Sequence, residues 1–405
     1  MAIEIHAKKD FISGVVELPI SKSLCNRALV LQANSRNKIS IKTVSKANDT
    51  VVLINALKST CEILNTEDAG TAMRFLTAYY AFSNRSIEIH GSQRMEERPI
   101  KALVDALKEI GAFISYLKND GFPPLKIHAA HQPTKNELTI NASISSQFIT
   151  ALLLSIPFHI KNFVLNLEGQ ISSKPYIDMT LGLLSKIGIE SEWQSNSIRI
   201  TQKEIKPAEL QLETDWSAAS YFYALTALSL KGQIQLRGLK PDSLQGDAVL
   251  AQMFEGHFGV NTVFNAFGAC ISKSANHALP AKLAIDFNHC PDLAQTMVVL
   301  CASLGVELKA TGLKSLRIKE TDRIQALETE LVKFGITTNS TADSLKIKGK
   351  INADVGPIKI NTYQDHRMAM AFSIIGFIRP VIIENEQVVQ KSFPSYFQEF
   401  KKVIQ

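Results

Sequence analysis

The sequence contains no CxxC and no Cys/His spacing suited to zinc. Its five cysteines, Cys25, Cys61, Cys270, Cys290 and Cys301, are odd in number and widely scattered, which excludes a disulfide framework or metal-binding module and leaves reduced, mostly buried thiols. No apolar run could span a bilayer. The longest, Phe148 to Phe158, is interrupted by Thr150 and Ser155, and the opening MAIEIHAKKDF lacks a signal-peptide core. A cytoplasmic protein without membrane contact is expected. Lys and Arg exceed Asp and Glu by only 6 (44 against 38), in no long run and not interleaved with aromatics, which argues against nucleic acid as a partner. Missing too are a P-loop, a GxGxxG, and any Ser or Cys set with His and an acid in a recognisable motif. These absences leave proton transfer and charge stabilisation, with no metal, cofactor or covalent intermediate. The mild basic excess suits small anionic substrates.

What is present is an ordinary globular composition, 45% hydrophobic and 20% charged over 405 residues, enough for two or three domains. Helix starts led by small or polar residues recur at Asp68, Ser145, Asp215, Pro291 and Asp365, with steps of about 75 residues. A second series ends in glycines placed to close helices, Gly111, Gly188, Gly259 and Gly335, each followed by a strand-like segment and a turn. Each unit reads as helix, strand, helix and a pair of strands, used about six times in an α/β (α+β) chain. The segment 206–215, KPAELQLETD, is the best boundary. A second crossing is expected near Pro19, where a lone strand pair (IEIHAKK, ISGVVELP) must be tied down.

The stretch PISKSLCNR, from Pro19, organises the rest. Ser21 is a good N-cap, and Leu24, Ala28 and Leu31 form an apolar stripe. Lys22, Ser23, Asn26 and Arg27 share the other side, where unpaired N–H groups and the helix dipole favour a phosphate or carboxylate. Comparable starts carry Gly70 and Arg74 in AGTAMR, Arg98 ahead of a helix over 103–110, and Ser145, Ser146 and Gln147. Ser173, Lys174 and Tyr176 precede another. Lys319, Glu320 and Arg323 in KETDR read as one turn of a helix whose buried face is Ile324, Leu327, Leu331 and Phe334. Asp365, His366 and Arg367 lead a further helix, and Lys391 lies near the C-terminus. Lys22, Arg27, Arg74, Arg98, Lys319, Arg323, Arg367 and Lys391 thus put eight cations at helix starts, where the dipole disfavours them. They imply a site for more than one multiply charged anion, with Asp292 and Glu320 as the carboxylates left to move protons.

In order along the chain, SKSLCNRAL, AGTAMR, RMEERPI, SSQF, SKPYID, the PD at Pro291, KETDR, DHRMAM and KSFPSYF closely resemble the 3-phosphoshikimate 1-carboxyvinyltransferase (EPSP synthase) family. The resemblance implies a two-domain inside-out α/β barrel of six βαβαββ units, three per domain, with helix N-termini facing a cleft that closes over substrate. Its domains would be 1–19 plus 215–405, and 20–214. It implies transfer of the enolpyruvyl group of phosphoenolpyruvate to the 5-hydroxyl of shikimate 3-phosphate through a tetrahedral intermediate; separately, a monomer is expected. Carried over, Ser23, Arg27, Ser145, Ser146, Ser173, Asp292 and Lys319 would contact shikimate 3-phosphate, and Lys22 and Gln147 both substrates. Gly70, Arg98, Arg323, Arg367 and Lys391 would hold phosphoenolpyruvate. Asp292 would accept the hydroxyl proton and Glu320, helped by Lys22, would serve the methylene carbon.

The sequence departs from the family pattern at Ile20, where glycine is usual, at Asp68 for Asn, at Phe75 for Pro or Leu, and at Ser315 for an Asn that contacts shikimate in many members. A carboxylate at Asp68 beside a phosphate site is repulsive unless it caps the helix or pairs with an Arg, which bears on the response to glyphosate. Two rivals are enolpyruvyl transfer to UDP-N-acetylglucosamine and a catalytically dead binding module. The first normally has an Asn after the early lysine and a loop cysteine, whereas Ser23 follows Lys22 and RMEERPI has no Cys. The second would have lost Asp292, Glu320 or the cations.

Overall fold

The structure, a computed structural model, describes residues 1–7, 11–129, 132–202, 204–353 and 356–404. They form two compact units, residues 1–19 with 213–405, and residues 20–212.

Both units are built from one repeated block. In the unit of residues 20–212, Ile63–Asn65 runs parallel to Ile87–His90 across the helix Gly70–Tyr80. The helix Lys101–Glu109 then leads to the hairpin Ile114–Tyr116 and Leu125–Ile127, whose second strand returns antiparallel to Ile87–His90. The same order recurs in Glu137–Asn141, Asn162–Glu168, Ser197–Gln202 and Ile189–Gln194. In the other unit it recurs in Lys282–Asp286, Glu307–Thr311, Leu345–Lys348 and Thr337–Ser340. Phe11–Glu17, Lys231–Arg237, Gly268–Lys273 and Val260–Asn265 repeat it once more. Two blocks are shorter among the described residues: Ile358–Ile360, Val381–Glu384 and Ala2–Ile5 form three strands, and Ala208–Leu210 pairs with Ile39–Ile41 alone.

Strand alternation explains the layering. Asn162–Glu168 buries Phe163, Leu165 and Leu167 under helices and turns its polar residues outward. In the other unit one helix is apolar on nearly every side. Trp216–Leu228 buries eleven of its thirteen residues, among them Trp216, Tyr221, Phe222 and Tyr223, and so forms the core of its unit. Gly111, Gly188, Gly259 and Gly335 all have positive φ, between 63° and 106°, and close their helices as the sequence suggests.

The N-terminal strands are a correction. Ala2–Ile5 pairs with Val381–Glu384 and Phe11–Glu17 with Lys231–Arg237, so they do not pair with each other. Each completes a different sheet that lacked a strand, which spaced hydrophobic residues cannot reveal. Lys8 and Lys9, part of the expected first strand, lie outside the described residues. Among the described residues no helix is long and apolar enough to cross a membrane.

Candidate active site

In the unit of residues 20–212 the site residues are organised around Arg27. It occupies the sixth position of the helix Lys22–Asn34, whose N-cap is Ser21. Its Nε donates to Thr180 Oγ1 at 2.9 Å, NH1 to the Ser23 carbonyl at 2.8 Å, and NH2 to Thr150 Oγ1 at 3.4 Å and the Tyr176 carbonyl at 3.2 Å. The guanidinium also lies 5.8 Å from the Phe75 ring and 5.9 Å from that of Tyr176. Phe75 sits in the helix Gly70–Tyr80, Thr150 in Ser146–Ser155, and Tyr176 and Thr180 in Lys174–Lys186, all within two turns of the start. One side chain thus ties four helices together near their N-termini. Ser23, Gly70, Ser145, Ser146, Gln147 and Ser173 follow to that end.

Arg27 is only 2% exposed. Burial lowers its pKa to about 10, which leaves it charged at neutral pH. Every acceptor above is neutral, and among the described residues no carboxylate forms an ion pair with it. A buried cation of this kind, beside four convergent helix N-termini, attracts anions. Lys22 is compensated differently, with its Nζ 3.0 Å from Asp49 Oδ2. Asn26 belongs to the scaffold, since its amide donates to Thr71 at 2.9 Å and accepts from Thr50 at 2.8 Å.

Arg98 and Gly70 form one feature. A Cβ built on Gly70 would lie 2.7 Å and 2.8 Å from the Arg98 guanidinium nitrogens, so this glycine makes room for an arginine over the helix start. Arg98 lies ahead of its helix as expected, though that helix runs over Lys101–Glu109. Arg74 is a strut for it: it is buried and donates to the carbonyls of Gly70 at 3.2 Å and Pro99 at 3.3 Å. Asp68 does not cap the helix, whose N-cap is Ala69. It is exposed and accepts from the Ser92 hydroxyl. Ser145 caps its helix through Gln147 N at 3.2 Å, whereas Ser173 sits at the N-cap position in a left-handed conformation (φ 56°) without a side-chain cap bond.

In the other unit the centre is Arg323, first residue of the helix Arg323–Val332. The expected continuous turn over Lys319 to Arg323 is corrected: Asp322 takes the N-cap, accepting from Ile324 N at 3.1 Å and Gln325 N at 3.0 Å. Lys319 and Glu320 therefore lie in the preceding loop. Arg323 is buried, with Nε 2.7 Å from Asp365 Oδ2, NH2 2.9 Å from Glu320 Oε2 and NH1 3.4 Å from Asp292 Oδ1. Burial opposes its charge, but Asp365, Glu320 and Asp292 outweigh it and hold the pKa above the ordinary arginine value. Arg367 adds a contact of 2.7 Å to Asp292 Oδ2 and donates to the Asp292 carbonyl at 3.1 Å. Lys391 Nζ is 3.8 Å from Glu320 Oε1 and ends a 3-10 segment, Glu386–Lys391, so it is not at a helix start.

Asp292 and Glu320 are therefore held in ion pairs. They keep 18% and 13% of their side-chain surface, against 0% for Asp365. Helix starts converge here too. Asp365 caps its helix through Arg367 N at 2.7 Å, Asp292 lies in the turn leading into Ala294–Leu304, and Ser220 reaches Thr296 at 3.1 Å.

Three carboxylates stood outside the expected site. Asp365 was expected only to lead its helix, as an Asp directly before an apolar run. Asp49 carried no local signal, being 27 residues from Lys22. Asp247 is 4% exposed and accepts from the Ser217 hydroxyl, while its Oδ1 has no hydrogen-bond partner among the described residues. Burial first, then the charge of Asp292, pushes its carboxyl up to about 7.

A family model described as EPSP synthase (3-phosphoshikimate 1-carboxyvinyltransferase) matches residues 53–400. The chain is 43% identical to the 3-phosphoshikimate 1-carboxyvinyltransferase of Bacteroides fragilis (strain YCH46), over 96% of this chain and 95% of that protein. It is 37% identical to that of Cellvibrio japonicus, over 100% and 99%. In fold it is similar to an EPSP synthase structure from Acinetobacter baumannii, with a TM-score of 0.77 at 19% identity, covering 99% of this chain and 98% of that one.

Proposed function

Because the chain belongs to the EPSP synthase (3-phosphoshikimate 1-carboxyvinyltransferase) family, we propose that it transfers the enolpyruvyl group of phosphoenolpyruvate to the 5-hydroxyl of shikimate 3-phosphate, releasing phosphate. The observation that carries the reading is the convergence of helix N-termini on buried guanidiniums in each unit, around Arg27 and around Arg323. Such ends recognise phosphates and carboxylates, and both substrates are multiply charged anions.

In this reading Ser23, Arg27, Ser145, Ser146, Ser173, Asp292 and Lys319 bind shikimate 3-phosphate, and Lys22 and Gln147 touch both substrates. Gly70, Arg98, Arg323, Arg367 and Lys391 hold phosphoenolpyruvate. The 5-oxygen bonds to C2 of phosphoenolpyruvate while its proton passes to Asp292, and a proton delivered by Glu320, assisted by Lys22, adds to the methylene carbon. The tetrahedral intermediate then returns a methyl proton to Glu320 as the C2–O bond to phosphate breaks, which restores the double bond. Asp292 and Glu320 fit these roles because they are carboxylates with residual solvent access, each beside a guanidinium that stabilises charge. A monomer in the cytoplasm completes the proposal, and a scattering mass near 44.7 kDa checks the first part.

The test is phosphate release from phosphoenolpyruvate with shikimate 3-phosphate. Release should require both substrates and fall about 10²- to 10⁴-fold in Glu320→Gln. Release with UDP-N-acetylglucosamine instead would overturn the choice of acceptor, and no release with either would leave a binding module.

A further inference from the structure

Beyond the groups assigned above, the helix Arg323–Val332 carries a second buried polar residue. Glu330 is 0% exposed. Its Oε1 accepts from the Tyr363 hydroxyl at 2.7 Å, and its Oε2 from Lys333 Nζ at 2.6 Å and the Asn361 backbone N–H at 3.3 Å. Tyr363 and Gln364 are consecutive non-glycine residues in the left-handed region, φ 52° and 56°. Side-chain-bearing residues seldom adopt that conformation singly and more rarely in succession, so surrounding contacts must impose it. Directly after them comes Asp365, which caps the helix of Arg367 and grips Arg323.

Arg323 and Glu330 are seven residues apart on one helix, so they share a face two turns apart. One helix therefore holds the segment 361–365 at two points, through Arg323 at its end and through Glu330 at the strained turn. The Asn361 side chain accepts from Tyr363 N at 2.9 Å and Asp365 N donates to the Thr362 carbonyl at 2.8 Å, which closes the turn internally. Shifting this turn would move Arg367 relative to Asp292, since the two are separated by only 2.7 Å.

We propose that Glu330 and Tyr363 form a latch that fixes the strained turn and thereby positions Arg367 and Arg323 for the phosphoenolpyruvate carboxylate and phosphate. Both are positioning residues, and the inference rests on the function proposed above. Burial, and next the bond to Glu330, raise the Tyr363 hydroxyl to about 12, so the phenol remains a donor across the working pH range.

Tyr363→Phe deletes one O–H and keeps the ring. The latch predicts a folded variant whose KM for phosphoenolpyruvate rises about tenfold, while KM for shikimate 3-phosphate stays within about twofold. Glu330→Ala should match or exceed the Tyr363→Phe effect. Hydrogen exchange at the amides of Asp365 and Arg367 is read in parallel and should accelerate in Tyr363→Phe. Unchanged KM for phosphoenolpyruvate in a folded Tyr363→Phe would overturn the proposal even if exchange accelerates, since the latch would then serve stability alone. Equal changes in both KM values would overturn it as well. A wild type that turns over neither substrate would refute the reaction and with it the positioning role, and faster exchange in the variant would then show only that Tyr363 fixes the turn.

Discussion

Replacing Gly70 with alanine separates binding from stability. The added Cβ would sit 2.7 Å and 2.8 Å from the two terminal nitrogens of Arg98 and 3.0 Å from its Cζ. An unstrained carbon contact needs about 3.5 Å, so the guanidinium must retreat by roughly 0.8 Å. The obstacle is the far end of a long side chain, so the fold accommodates the change. Alanine also gains on glycine in a helix by up to about 1 kcal/mol, and the net stability change should lie within about 1 kcal/mol of zero. Function has no such slack. A misplacement on the scale of 1 Å at a substrate-positioning cation can cost about a hundredfold. Gly70→Ala should therefore raise KM for phosphoenolpyruvate by about 10- to 100-fold, leave KM for shikimate 3-phosphate within about twofold, and melt within a few degrees of wild type. Gly256→Ala is the control, because nothing lies within 4 Å of its Cβ position on the helix Leu250–Phe258. It should gain about 0.5–1 kcal/mol with unchanged kinetics. Steady-state kinetics and urea unfolding of both variants decide the matter. A Gly70→Ala enzyme with wild-type affinity for phosphoenolpyruvate would refute the assignment of Arg98 to that substrate.

Asp247→Asn tests a buried carboxyl raised from 3.8 to about 7. A raised carboxyl stabilises the fold fully below the unfolded value and loses that contribution as pH climbs through about 7. Asparagine does not ionise beside Asp292, so the melting temperature of the variant relative to wild type should be higher at pH 8 than at pH 5, and an equal difference at both would contradict the raised value. Arg27→Met removes the charge and takes a donor from acceptors on two other helices. It should cost about 2–4 kcal/mol in urea unfolding and sharply weaken shikimate 3-phosphate binding in calorimetry, and intact binding would remove Arg27 from the site.

The local parts of this molecule were legible because local rules govern them. Ser21, Asp215 and Asp365 cap helices where an Asp or Ser precedes an apolar run, and the glycines of the second series take positive φ where helices end. The repeat was legible through the same punctuation, since each block carries its own starts and stops. What failed was pairing between distant segments. Nothing in Ala2–Ile5 names Val381–Glu384 as its partner, and nothing in Lys22 names Asp49. Asp322 shows a different failure, competition within a motif. KETDR offers several polar residues, and the one whose oxygen reaches two N–H groups sets the helix start, four residues after Lys319. The cations at helix starts also proved of two kinds, because Arg74 spends its donors on carbonyls that hold Arg98 in place.

The two units use convergent helix ends with opposite charge compensation, and this separates their roles. Around Arg27 the acceptors are hydroxyls and carbonyls, so an anion arriving there meets positive charge with no ion pair to Arg27 to break. Around Arg323, three cations (Arg323, Arg367 and Lys391) face three carboxylates (Asp292, Glu320 and Asp365) at 2.7–3.8 Å. An anion binding to those cations must compete with the carboxylates, and Asp365 cannot yield because it is fully buried and caps a helix. Asp292 and Glu320 can yield, being partly exposed. Under the proposed assignment, substrate bound at these cations would loosen the hold on the two carboxylates given to proton transfer and so favour their taking up a proton.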